Sequence, residues 1–341
     1  MCIMKPERIH YIDVFKGILI ILVVVHHAPM VCQKFDNPYM DTYWLNNIII
    51  AFFMPAWFMA TGYCSSFTKP FPHFLWQNFK GIMIPCFTLY CINHVLYSLN
   101  TYLYGDASWM TLSHWFNPGV RTFFRNGGFY WFLSALFISK LIFWFVAKIK
   151  TDIYKVACCL IMLFAGLYLY HAATIPNIFF FQHALILTIF LYVGQLLKKN
   201  EKQLMSHIVP VAALFFFIVL LMSYLGITVP TVTREITTTL LTAGIFVLLS
   251  TIGSLTLWFI SRRIASNRLL EYMGKASLVM YAFNYVTLTI TANSLVYIMS
   301  PEGPFVSILC FVLTIILTLL ILIFFYWLID EKWLRFIIGR F

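Results

Sequence analysis

The sequence predicts an all-α polytopic membrane protein, and three observations predict it. Hydrophobic residues fill 62% of the 341 positions and charged residues only 10%, whereas a soluble domain carries about 25% charge. Apolar runs of about 20 residues, the length that crosses a bilayer, recur from one end of the chain to the other. The lysines and arginines gather in alternate gaps between those runs, which is how membrane helices are oriented.

Ten runs are read, at 14–32, 44–67, 79–99, 128–147, 153–171, 178–197, 207–226, 236–260, 277–299 and 304–329. The first opens on Tyr11-Ile-Asp13-Val-Phe-Lys16 and closes on His26-His27. It is too long for a signal peptide and is followed by no small-residue cleavage site, so it reads as a span. The second carries Phe53-Met54-Pro55 and Thr61-Gly62-Tyr63, and its proline predicts a kink satisfied by neighbouring helices. The third carries Pro85, five residues after Lys80, and reads the same way. The fourth begins Gly127-Gly-Phe-Tyr-Trp131-Phe-Leu133, an aromatic entry of the kind that sits at the headgroups. The fifth to eighth are plainly apolar. The ninth follows Glu271-Tyr-Met-Gly274-Lys-Ala-Ser277, with Ser277 as the expected helix cap, and holds Tyr281 and Asn284 within the bilayer. The tenth is apolar throughout.

Only the connection at 100–127 is long, and its Tyr102, Trp109, Trp115, Phe123 and Phe124 predict a position at the membrane surface. No Gly/Ser linker, low-complexity tract or internal repeat divides the chain. Residues 1–341 read as one transmembrane domain with no soluble domain.

With the N-terminus in the cytoplasm, seventeen lysines and arginines fall on the cytoplasmic side and four on the other, namely Lys34, Arg121, Arg125 and Arg234. Both termini are therefore expected to be cytoplasmic. The net charge of +11 is mostly this topology signal facing an anionic leaflet, not a nucleic-acid footprint. The eight cysteines lie in or beside apolar runs with no Cys-x-x-Cys pair, so disulfides, zinc or any other metal site are not expected. His94, His171 and His183 are isolated and read as structural.

An ionisable side chain inside a membrane span is a functional candidate by default. Lys16 and His27 are eleven residues apart, which returns to nearly the same helix face about 16 Å further along. Asp13 and Lys16 are three apart and predicted to pair. The first span thus offers an ion pair at its cytoplasmic mouth and an imidazole at depth, while His26 points away from that stripe. A neutral imidazole can take a proton from an alcohol, and a cation at the mouth can hold a phosphate or carboxylate. The alternative reading of the same residues is interfacial snorkelling and interhelical hydrogen bonding.

Four strings resemble the acyltransferase-3 membrane family. They are Tyr11–Ile18 with the Lys16 and His27 spacing, Phe52–Tyr63 (F-F-M-P-A-W-F-M-A-T-G-Y), Tyr130–Phe137 (Y-W-F-L-S-A-L-F) and Met273–Asn284 (M-G-K-A-S-L-V-M-Y-A-F-N). They occur in the family's order. The chain departs from the family pattern at Phe53 and Asn284, where histidine is usual, at Thr61 for serine and at Lys16 for the more frequent arginine.

The resemblance implies an integral-membrane O-acetyltransferase of the bacterial cytoplasmic (inner) membrane, with acetyl-CoA as donor substrate, no bound cofactor, and a carbohydrate or glycan-like hydroxyl as acceptor. His27 would be the catalytic base and Asp13 would orient Lys16. Lys16, Arg8 and Lys80 would face the anionic donor, and Trp131, Tyr281, Asn284 and His26 would line the cavity. Two other readings stand beside it: an exporter of a polysaccharide or lipid-linked sugar, since broken helices and buried charges also mark transporters, and a catalytically silent partner or sensor.

Overall fold

The computed structural model describes residues 9–31, 43–104, 131–172, 177–231, 240–300, 303–330 and 334–338. Among the described residues all regular structure is helical. Twelve α-helices follow one another: α1 (His10–Val31), α2 (Tyr43–Ile50), α3 (Phe53–Cys64), α4 (Phe71–Asn78), α5 (Ile84–Tyr104), α6 (Trp131–Val146), α7 (Asp152–His171), α8 (Phe181–Ser206), α9 (Ile208–Tyr224), α10 (Leu240–Ile264), α11 (Arg268–Met299) and α12 (Pro304–Asp330).

Among the described residues, seven helical stretches are long and apolar enough to cross a membrane: His10–Pro29, Trp44–Cys64, Phe71–Leu96, Asp152–His171, Ile178–Ser206, Leu241–Ile264 and Pro304–Asp330. The other three expected runs are helical too, but differ for physical reasons. The α6 and α9 helices are apolar yet only 16 and 17 residues long. The 32-residue α11 carries Asn284, Thr287, Thr289, Thr291 and Asn293 along its length. Its polar content is what lowers its hydropathy, and it lies in the middle of the protein, where a polar side chain can find partners that lipid does not provide.

The second run is broken rather than bent at its proline. The helix stops at Ile50 and restarts at Phe53, with Phe52 at φ −142°, ψ −18°. Pro55 then falls in the first turn of α3, where its missing N–H leaves no bond unmade. The break frees backbone groups, and the Ser250 hydroxyl of α10 donates to the Ala51 carbonyl at 2.7 Å. Ahead of Pro85 the chain instead widens into a π-helical turn, Phe79–Met83, which carries Lys80. Such turns absorb a local mismatch in the hydrogen-bond ladder and often lie at functional sites.

The ninth run begins earlier than expected. Asn267, not Ser277, caps α11, its side chain accepting from the Leu270 amide at 3.0 Å. Gly274 is therefore helix interior, and its role is packing. A Cβ on Gly274 would stand 2.0 Å from the Asp13 carbonyl oxygen, and one on Gly17 2.1 Å from that of Leu270. With His10 against Glu271 at one end and His27 beside Tyr285 at the other, α1 and α11 run parallel and cross where two glycines let the backbones touch. Helices α3 and α8 meet in the same way, Gly62 on the Leu191 carbonyl and Gly194 on that of Met59.

Below this crossing, Glu201 joins four helices. Its carboxylate accepts from Tyr63 Oη at 3.0 Å, Tyr11 Oη at 3.2 Å and Trp258 Nε1 at 2.9 Å, and lies 3.4 Å from the Arg262 guanidinium. Glu201→Ala strands three buried or half-buried donors at once. We expect it to cost about 2 kcal/mol, read as a lower thermal midpoint in detergent, with Glu201→Gln recovering part of the loss.

Candidate functional site in the first helix

The α1 helix is continuous from His10 to Val31 and places both histidines well inside the bundle. His27 is half-buried, and its Nδ1 lies 2.8 Å from the Val23 carbonyl oxygen one turn back. A carbonyl oxygen only accepts, so Nδ1 carries the proton and donates. In the neutral ring Nε2 is then the basic nitrogen. Tyr285 of α11 meets His27 edge-on with centroids 6.1 Å apart.

His26 is 8% exposed and turns to the other side of the helix. Its Nδ1 lies 2.5 Å from Asn46 Oδ1 of α2, and its ring packs 4.9 Å from Phe53 and 5.0 Å from His27. The two histidines thus form one edge-to-face pair, held by helices on opposite sides.

Tyr281 and Asn284 extend this region along α11. Tyr281 is hydrogen-bonded to the backbone at Phe132, at the first turn of α6, and its ring lies 5.3 Å from the Phe132 ring. The amide of Asn284 donates to the Tyr281 carbonyl at 2.5 Å. Its Oδ1 and the Thr287 hydroxyl are buried without a partner among the described residues. Unpaired buried oxygens are costly, and these two, one turn apart on the helix that brings Tyr285 to His27, are able to accept from hydroxyl groups. Trp131 sits at the mouth of α6, packed on Phe180 and His183 with centroids at 6.0 and 5.4 Å.

The entry group is arranged differently from the expected ion pair. Asp13 and Lys16 do not bond to each other. Asp13 is 7% exposed, its backbone at the α1–α11 crossing, and it acts electrostatically on Cys64 of α3 together with Lys16, Lys140 and Lys198. Lys80 lies 5.5 Å above the Trp76 ring, on the π turn that packs against α6. Arg8 lies outside the described residues.

A cleft of about 420 Å³ opens on the face of Lys198, lined by Ser65, Thr68, Tyr192, Gln195, Lys155 and Lys199 among others. Within it Asp152 lies 3.2 Å from Lys199 and 3.3 Å from Lys155. At the same end, Ser266 and His10 hydrogen-bond Glu271, at 2.6 and 2.8 Å, and hold its carboxyl below the usual carboxylate range.

Three partners were not legible in the sequence. Asn46 and Tyr285 are set beside the histidines by helices distant in the chain. Glu201 is a junction of four helices that the sequence did not single out. No single-residue signal marks them, because their neighbours are fixed by packing.

No curated protein and no solved structure matches the chain. The family model described as an acyltransferase domain, acyltransferase 3, matches residues 9–327. It spans both histidines, the broken second run, the α6 entry and α11, and the chain belongs to that acyltransferase family.

Proposed function

We propose that the protein moves an acetyl group from acetyl-CoA to a hydroxyl of a glycan-like acceptor within the bilayer of a bacterial inner membrane, through ten spans with both termini cytoplasmic. The observation that carries the reading is His27, an imidazole inside a continuous span whose Nδ1–H is committed to the Val23 carbonyl at 2.8 Å. That bond orients the ring and makes Nε2 the base. Nε2 takes the acceptor's hydroxyl proton, the resulting alkoxide oxygen bonds to the thioester carbonyl carbon, and the C–S bond breaks. The proton then passes from imidazolium to the departing CoA thiolate. General-base help of this kind is worth about 10²–10⁴ in rate.

The donor's phosphates are met on the basic face, by Lys16, Lys198 and the lysines of the cleft beside Ser65, with Lys80 and Arg8 as further donor contacts. The acceptor's remaining hydroxyls meet Asn284 Oδ1 and Thr287 Oγ1, with Trp131, Tyr281 and His26 as walls. Asp13, at the α1–α11 crossing, orients the segment that bears Lys16.

The test is acetyl-CoA turnover by the purified protein, followed as free thiol release with and without a panel of hydroxyl acceptors. Release that rises with an acceptor, and an acetyl ester on that acceptor by mass spectrometry, is the expected result. Absence of acetyl-CoA binding, with glycan flux across vesicles carrying the protein, would instead establish the exporter.

A further inference from the structure

We propose that the protein carries a binding site for an anionic phospholipid at the junction of α8 and α10. A second cavity of about 420 Å³ lies there, lined by Lys202, Met205, Ser206, Phe259, Arg262 and Arg263. Three of its six lining residues are cationic and none is acidic. This distinguishes it from the cleft beside Ser65, where Asp152 bonds to Lys155 and Lys199.

Of the three cations, Arg262 is turned partly inward to Glu201 at 3.4 Å and stacks over Tyr11 at 5.4 Å. Lys202 and Arg263 pair with no carboxylate among the described residues. Both are exposed, and Arg263 is steadied by lying over the Phe259 ring at 5.0 Å. Two unneutralised cations beside a serine hydroxyl form a phosphate cradle.

The surroundings point to lipid as the source of that phosphate. Leu204, Val209, Ile260 and Ile264 are 38%, 62%, 40% and 38% exposed around the cavity. Three of these apolar side chains, Leu204, Ile260 and Ile264, stand exposed on the same two helices as the basic residues. A soluble phosphate compound would leave that surface in water, whereas a phospholipid covers it with its acyl chains while its phosphate sits on Lys202 and Arg263. Basic pockets between helix ends on the inner face of a membrane hold anionic headgroups in this manner. The cavity is also connected to α1, because Arg262 shares Glu201 with Tyr11.

The experiment is native mass spectrometry of the full chain released from detergent with added phosphatidylglycerol or phosphatidylcholine, compared with Lys202→Gln/Arg263→Gln. A Lys148→Gln/Lys150→Gln protein, which removes the same charge from exposed positions elsewhere, is the control. Wild type and control should prefer phosphatidylglycerol. The Lys202/Arg263 variant should bind it more weakly, by about fivefold for each cation removed, with an unchanged thermal midpoint in lipid-free detergent. Equal binding of the two lipids by wild type, or equal loss in the control, overturns the site. Displacement of the lipid by glycerol phosphate or coenzyme A at equal concentration also overturns it, assigning the cavity to a soluble phosphate.

Discussion

His27→Ala is expected to lower acetyl transfer by about 10²–10⁴-fold while leaving donor binding nearly intact. The separation follows from the helix. Lys16 lies about 16 Å from His27 along α1, so deleting the imidazole removes the base without touching that cationic contact. His27→Gln restores a side chain of similar reach but no basic nitrogen, and should be as inactive as alanine. His26→Gln is the internal comparison. Its ring contacts His27 and bonds Asn46, so replacement disturbs the pair and should cost less than removal of the base. Thiol release at saturating acetyl-CoA, with binding by calorimetry, reads both effects. An active His27→Ala protein would remove the proposed mechanism, whatever the acceptor proves to be.

Gly274→Ala is expected to be among the most destabilising alanine substitutions of the described glycines. A Cβ there would lie 2.0 Å from the Asp13 carbonyl oxygen, and the obstacle is backbone, which cannot swing aside. Overpacking costs about 1–3 kcal/mol, and this contact belongs at the upper end. Gly17→Ala meets the Leu270 carbonyl at 2.1 Å and should behave alike. The double variant should cost less than the sum of the two, since one separation of α1 from α11 relieves both clashes. The same separation moves Tyr285 away from His27, so activity should fall before the protein unfolds. Gly244→Ala in α10 is the control. No atom lies within 4 Å of a Cβ there, and alanine favours the helix by up to about 1 kcal/mol. Thermal midpoints in one detergent compare all four proteins.

The candidate site was legible in the sequence where one helix carries it. Lys16, His26 and His27 lie on one helix, α1, as the sequence reading placed them. It was not legible where two helices meet. The Asp13–Lys16 pair is possible on an isolated helix, whereas in the bundle both side chains act on Cys64 of α3 and no ion pair joins them among the described residues. The cap of α11 was missed because Asn267 lies in a polar connection, after Arg262-Arg263 and Ser266, where hydropathy no longer marks an element. The proline in Phe53-Met54-Pro55 was rightly taken as a sign of irregular backbone. Where the helix breaks depends on Ser250, a residue two hundred positions away that satisfies the Ala51 carbonyl.

The sequence by itself determined the membrane-helical class, the family and the helix that carries the two histidines. Those follow from composition, periodicity and motif order, properties local to a stretch of chain. The tertiary structure alone decided which glycines bring α1 against α11, that Tyr285 stands beside His27, and that Glu201 unites α1, α3, α8 and α10. Each depends on a partner far along the chain, and a contact between distant residues is set by close packing, which no local pattern records.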